Sequence, residues 1–566
     1  MTHECDKGGN CIAAHTRCTA AHSRCIAAHT RCTAANTDTK RGTIVIMKKL
    51  LPLLLALLLI AALITGCADN SSAASTLIVA IPVSPASLDG DLVTTQIVND
   101  VMCHVYEGLF EFNARNEATG QLAESYEILD GSRTYSITLR KGVKFHDGSE
   151  MTSEDVVASF KRWLAMNGAG KNLALYLEDY TAIGEYQVNI TFTEPYAPFL
   201  QTISANVANQ KLVIRPKSLC EAYPDSELGE HIGTGPYIFE EFLPNQHILL
   251  KKFDGYTPNS GAPSGMAGKR EAGTDLLKFV IAPEQAVRIA GVQSGEYHFA
   301  IEIPSDQYAH LSTDDRVQTF IISPNNQLFL VINQGGINLS DIKARQAISV
   351  GLDMEELAGL AIGNKDFWNL NPSLFATSTQ WYDPNAGAGI YNTANLERAK
   401  QLLAESGYDG SPLVILDQRE NLVYAQTAIA LKTQLEAIGF SVDLQLLDEA
   451  TVVEKRARKD AWDIHVNGFR APDPDPQVYG AWMGTNKWIG NWDDEYSGKM
   501  DEIFDRMVKE VDQVARYDIV CEWYAYFYET VPYVKVVDYN GLIIASPSVT
   551  GYAAFTSPFF WDVTLS

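Results

Sequence analysis

Cysteine is scarce in the body of this chain. Beyond Cys67 only Cys103, Cys220 and Cys521 remain, widely spaced, which excludes a disulfide framework and allows at most one pair. A hydrophobic core must therefore hold the fold, and about 500 residues are ample to bury one. Cations are scarce too: 44 Lys and Arg face 69 Asp and Glu in 566 residues, and from Cys67 onward the count is 36 against 66. So acidic a body lacks the clustered positive charge that phosphate binding needs, which argues against nucleic acid and anionic lipid as partners. The seven histidines beyond Cys67, at 104, 146, 231, 247, 298, 310 and 465, show no i, i+3 or i+4 pairing. The patterns G-x-S-x-G, H-E-x-x-H, C-x-x-C and Walker A are missing, and Gly168–Lys171 lacks P-loop spacing. No catalytic residue, metal ligand or cofactor is assigned, and the chain reads as a non-enzyme. An exported hydrolase on an α/β scaffold is the alternative of another class.

A long membrane span is also lacking near the front, where Leu50–Ile64 is an apolar run of 15 residues, short of the roughly 20 that cross a bilayer. From Met47 the chain reads MKKLLPLLLALLLIAALITGC: a basic n-region, an apolar core and Ile64-Thr65-Gly66-Cys67. This is the pattern of a lipoprotein signal peptide over 47–66, with Cys67 as the lipidated residue; a plain secretory signal is the alternative. Residues 67–75 form the lipidated Cys and a Ser/Ala-rich tether. The body is expected outside the cytoplasmic membrane, in the periplasmic space if an outer membrane exists, and bound to the membrane through the anchor only.

Residues 11–35 read CIAAHTR-CTAAHSR-CIAAHTR-CTAAN, with Cys11, Cys18, Cys25 and Cys32 in phase. Cys and His are zinc ligands, so a metal-binding tract is one reading, although C-x6-C is not a familiar zinc spacing. Near-identity of the units points instead to a tandem repeat in DNA. Residues 1–46 are read as an upstream segment, untranslated or disordered.

The stretch Tyr135–Trp163 organises the rest. Tyr135, Ile137 and Leu139 alternate with polar residues, as in a half-buried strand. Asp147-Gly148 supplies a turn. Thr152 with Asp155 reads as a helix N-cap, and Val156, Phe160 and Trp163 follow at helical spacing. The order LRKGVKFHDGS-x-x-T-x-E-D-V resembles a stretch of the family 5 extracellular solute-binding proteins, receptors for peptides and nickel in ABC importers. Further segments resemble the family in the same order: Pro85–Asp89, a helical pattern over Ile97–Phe110 ending in YEGL, Gln121–Tyr126 and His231–Tyr237 (HIGTGPY). Ala282–Ala300 follows, with His298 where Asp is usual, then Asp341–Asp353, with Gly351 for the usual Ala, and the helices Leu396–Tyr408 and Leu431–Phe440. Ser260–Gly273 reads as a surface loop.

The resemblance implies a two-lobed periplasmic-binding-protein-like α/β fold of the class II, cluster C type, with an extra α/β subdomain and a hinged cleft. Lobe I is expected at 76–113, 236–320 and 528–566, with two late strands, Tyr533–Val537 and Gly541–Ala545. The additional subdomain is placed at 114–235 and lobe II at 321–527. The function it implies is capture of short peptides, di- to oligopeptides, by a monomeric lipid-anchored receptor that delivers them to an ABC permease and its ATPase subunits. The same fold binding a nickel chelate, haem, an opine or a sugar derivative is the alternative, and a sensor for signal peptides is another.

Asp463–Tyr479 (DIHVNGFRAPDPDPQVY) is the segment expected to face ligand: a strand running into a proline-stiffened loop. In peptide-binding relatives a Trp stands at the position of Phe469, and an Asp three residues later anchors the ligand's ammonium. That Asp position is Pro472 here, with Asp473 beside it and Asp475 beyond; both aspartates also read as turn residues next to prolines. Arg470 offers a fork to a carboxylate. Tyr479 ends the segment, and Trp482 belongs to a cluster with Trp381, Trp462, Trp488 and Trp492 that reads either as cleft lining or as core. Thr94, Thr95 and Gln96 occupy the loop that faces the ligand in relatives.

Overall fold

The computed structural model describes residues 74–93, 95–205, 211–336, 338–470, 475–480, 483–485 and 495–566. The stretch Tyr135–Trp163 forms a strand, Thr134–Leu139, and a helix, Ser153–Met166. The Asp155 carboxylate accepts from both the Thr152 amide (2.8 Å) and hydroxyl (2.9 Å), closing the first helical turn. Val156, Phe160 and Trp163 are buried against the four-stranded antiparallel sheet in which 134–139 is a central strand. The strand is covered more fully than alternation implies. Ser136 is buried as well, because Gln187 from the neighbouring strand donates to its hydroxyl at 2.7 Å.

An 11-stranded mixed sheet runs through most of the rest of the described chain, beside two small two-stranded sheets. Two long strands, Gln318–Ile332 and Tyr533–Ala545, run antiparallel at its centre. The outer end of this pair, Gln318–Ile322 against Gly541–Ala545, joins Phe299–Ile303, Thr76–Ile81 and Leu276–Ile281. The other end, Asn326–Val331 against Tyr533–Tyr539, joins Ile464–Arg470 and Leu413–Gln418. The register shifts between Ile322 and Asn326, so the sheet bends where one half passes into the other. The late segment is thus one strand rather than the two expected. Both halves need a central member, and a continuous strand supplies it to each. Ala73–Ser566 is one compact unit.

Three features mark the surroundings of the buried helix Gln96–Met102. First, Asp89 and Asp91 just before it are buried against Arg162 and Arg215. Arg162 bonds Asp89 at 2.6 Å and also Asp91, and Arg215 bonds Asp91 at 2.9 Å. Burial alone raises the Asp89 carboxyl, but Arg215 and Arg162 outweigh it and leave it below its ordinary value. Second, the helix stops at Met102 instead of continuing to Phe110 as its spacing suggests. The His104 and Val105 carbonyls accept from Tyr237 (3.0 Å) and Gly235 (2.9 Å), which seats the GTGPY crossover and leaves no room for further helical bonds. Third, the segment 260–273 is no surface loop throughout. Met266 and Arg270 are fully buried, and Arg270 lies 3.2 Å from Glu111 and over Trp561. A loop carrying a cation to a buried carboxylate has to enter the core.

Candidate functional site

Arg470 ends the strand Ile464–Arg470. Strand periodicity sends it and Phe469 to opposite faces. Phe469 is buried, packed edge-on to Phe329 (5.3 Å between centroids) and stacked with Tyr533 (6.3 Å). Arg470 is half-buried and points the other way, donating through Nη2 to the Thr556 carbonyl at 2.9 Å, in the far half of the molecule. Beside it, Gly468 makes a close approach possible. A Cβ there would stand 2.7 Å from the Tyr424 hydroxyl and 3.1 Å from that of Tyr539, and the Gly468 amide donates to Tyr424 at 2.9 Å.

Facing Arg470 is the helix Gln96–Met102, which sets Gln96 and Asp100 one turn apart on a single face. Gln96 Nε2 donates to Asp100 Oδ1 (2.8 Å) and to Ser557 Oγ (3.2 Å). Asp100 is only 3% exposed. Burial pushes its carboxyl up to about 6; Arg470 and Gln96 hold it back, while Glu302 adds to the rise. Arg470 Nε and the Tyr552 hydroxyl are buried polar atoms with no hydrogen-bond partner, and Tyr552 lies within the field of Asp100. Two opposite charges from the two halves and unused donors thus meet at one place. Such a place can bind a small polar molecule.

Of the residues expected at the site, Gln96 and Arg470 are brought together here. Thr95 is exposed at the start of the helix. Asp475 and Tyr479 lie elsewhere in the second half. Asp475 accepts two bonds from Arg516, both 2.7 Å, and Arg516 stands over Trp381. The Tyr479 hydroxyl is buried between the Leu374 carbonyl (2.6 Å) and Gln327 Oε1 (2.9 Å). Trp381 and Trp462 are core residues. Thr94, Asp473, Trp482 and Cys67 lie outside the described residues. Asp100, Ser557, Tyr552, Tyr424 and Tyr539 were not legible as site residues. Asp100 alone left a signal, standing four residues after Gln96.

The two halves also meet away from this point. Tyr196 donates to Gln477 at 2.7 Å, Lys509 pairs with Glu194 at 2.6 Å, and Asn116 reaches Ser378 at 3.1 Å. The last contact borders a recess of about 230 Å³ lined by Arg115, Glu117, Thr379 and Trp381. Among the described residues no helix is long and apolar enough to cross a membrane.

Two half-sheets sharing a pair of long strands, with polar groups from both meeting between them, define a two-lobed α/β binding protein. The chain belongs to the bacterial extracellular solute-binding proteins, family 5, whose family model matches residues 117–491. A probable peptide ABC transporter periplasmic-binding protein of Sinorhizobium fredii is 25% identical over 383 residues, covering 63% of this chain and 68% of that one. The glutathione-binding protein GsiB of Salmonella paratyphi A is 28% identical over 403 residues, 69% of this chain and 73% of that one. Among solved structures, the ABC transporter substrate-binding protein CtaP of Listeria monocytogenes superposes with a TM-score of 0.75 at 20% identity, covering 87% of this chain and 99% of that one.

Proposed function

We propose that this protein captures short peptides outside the cytoplasmic membrane, held there by a lipid on Cys67, and passes them to an ABC permease. The observation that supports it best is that Arg470 and Asp100, from opposite halves that share two long strands, face one another without an ion pair. A ligand binding between them contacts both halves at once and so favours the closed arrangement over the open one. The permease then recognises the closed form, and no bond of the ligand is made or broken. The names of the two relatives, one a peptide transporter component and one a glutathione binder, support a peptide cargo.

The test is a native mass spectrum of Ala68–Ser566, purified gently without the lipid. Peptide-sized adducts that fragment into amino-acid residues are expected. A single discrete non-peptide adduct overturns the peptide reading and turns attention to Pro472, where the family's amine anchor is absent.

A further inference from the structure

We propose that Asp100 and Arg470 together hold an α-amino-acid head, the ligand's ammonium against Asp100 and the carboxylate on the same carbon against Arg470. This rests on the peptide reading and narrows it to peptides joined through a side chain, such as γ-glutamyl peptides, in which that head stays free.

The first argument is a contrast within the molecule. Where opposite charges serve the fold here they touch: Arg516 grips Asp475 with two bonds of 2.7 Å, and Arg162 bonds Asp89 at 2.6 Å. Asp100 and Arg470 feel each other's charge yet form no ion pair. Arg470 keeps unused capacity: its Nη2 is spent on a neutral carbonyl, and its Nε–H is buried and unpartnered, while Asp100 meets only neutral amide side chains, Gln96 at 2.8 Å and Asn99. The Tyr552 hydroxyl, unpartnered and buried within the field of Asp100, extends the same polar lining.

The second argument concerns what such a pair selects. A ligand bringing only an ammonium satisfies Asp100 but lies beside the Arg470 charge. One bringing only a carboxylate satisfies Arg470 but faces both Asp100 and Glu302. A ligand carrying both charges close together compensates each side without leaving a desolvated charge, and that difference sets specificity. The amino terminus of a linear α-peptide has an amide where the head has its carboxylate. Of the two aspartates that follow Pro472, Asp475 is consumed by Arg516, and Asp473 lies outside the described residues.

The isomers γ-L-Glu-Gly and α-L-Glu-Gly carry the same atoms and charges and differ only in which carboxyl is amidated. Titration calorimetry with the protein freed of bound ligand is expected to give at least about tenfold tighter binding of the γ isomer. Asp100→Asn and Arg470→Gln are each expected to weaken the γ isomer by about 10–100-fold, and the double variant by less than the product of the two, since they act on one head. Arg470→Lys, together with an unchanged thermal midpoint in each variant, separates lost recognition from lost folding. Equal affinity for the isomers, or a γ affinity that survives both substitutions, overturns the proposal. Binding of linear α-peptides but not of γ-linked ones overturns it and leaves the peptide reading standing. No binding of either linkage removes both.

Discussion

At the residue scale, identical chemistry plays opposite roles according to its surroundings. Asp475 and Asp100 are both buried aspartates in an acidic chain, but one is locked by a guanidinium and the other meets only neutral amide side chains. Removing one partner of a buried, bonded pair leaves the other charge desolvated. Asp475→Asn is therefore expected to lower the unfolding free energy by about 3 kcal/mol, read as a shift in the urea midpoint. An unchanged midpoint with altered ligand affinity would place Asp475 at the ligand instead. Nothing in the sequence says which of the two aspartates is locked. Asp475 stood out because prolines flank it, whereas Asp100 sits on an ordinary short helix and the cation facing it, Arg470, is 370 residues away.

At the element scale, local signals read true where local physics decides. Thr152 and Asp155 start a helix at Ser153, and Gly148 takes φ +88° in the turn before it. Asp155 does more than cap, since its other oxygen accepts from the Lys217 amide at 2.7 Å and ties the next helix, Lys217–Ala222, to this one. Asp155→Ala removes all these bonds and is expected to cost about 2 kcal/mol locally. Hydrogen exchange of the Val156–Phe160 amides should then speed by ~30-fold, while Thr152→Ser, which keeps the hydroxyl, should change it little. Equal exchange in Asp155→Ala and the parent would remove the cap from the account. The helix foreseen over Ile97–Phe110 failed for a reason outside its own sequence. The carbonyls of His104 and Val105 are claimed by residues 235–237, and no local pattern reveals that claim.

At the scale of the whole molecule, stability is tied to keeping buried groups neutral. Burial lowers His104 to about 3 and His146, His231 and His465 to about 4. For His465 the reason is visible: Arg456 can only donate to Nε2 (3.1 Å), so Nδ1 carries the proton, directed at the Leu416 carbonyl (2.9 Å). Above the ordinary histidine range both folded and unfolded chains are neutral there. As pH falls below about 6.5 the unfolded chain takes up protons that the folded chain refuses, so stability declines until the folded values are reached. Asp417 and Asp100, raised by burial to about 7 and about 6, act in the opposite sense and offset part of the loss. The urea midpoint is expected to fall between pH 6.5 and pH 4.5, and to fall more steeply in Asp417→Asn. A midpoint that rises on acidification would contradict this. The sequence by itself determined the class: a run of weak motifs in one order, an acidic body and no catalytic pattern all concern residues near one another in the chain, where turn, cap and strand preferences act. Only the tertiary structure decided which charges face one another. The helix that carries Gln96 and Asp100, the strand that ends at Arg470, and Ser557 are distant in the chain, and two long strands shared by both halves bring them together. Burial and charge, which settle what each side chain can bind, exist only once the chain has closed.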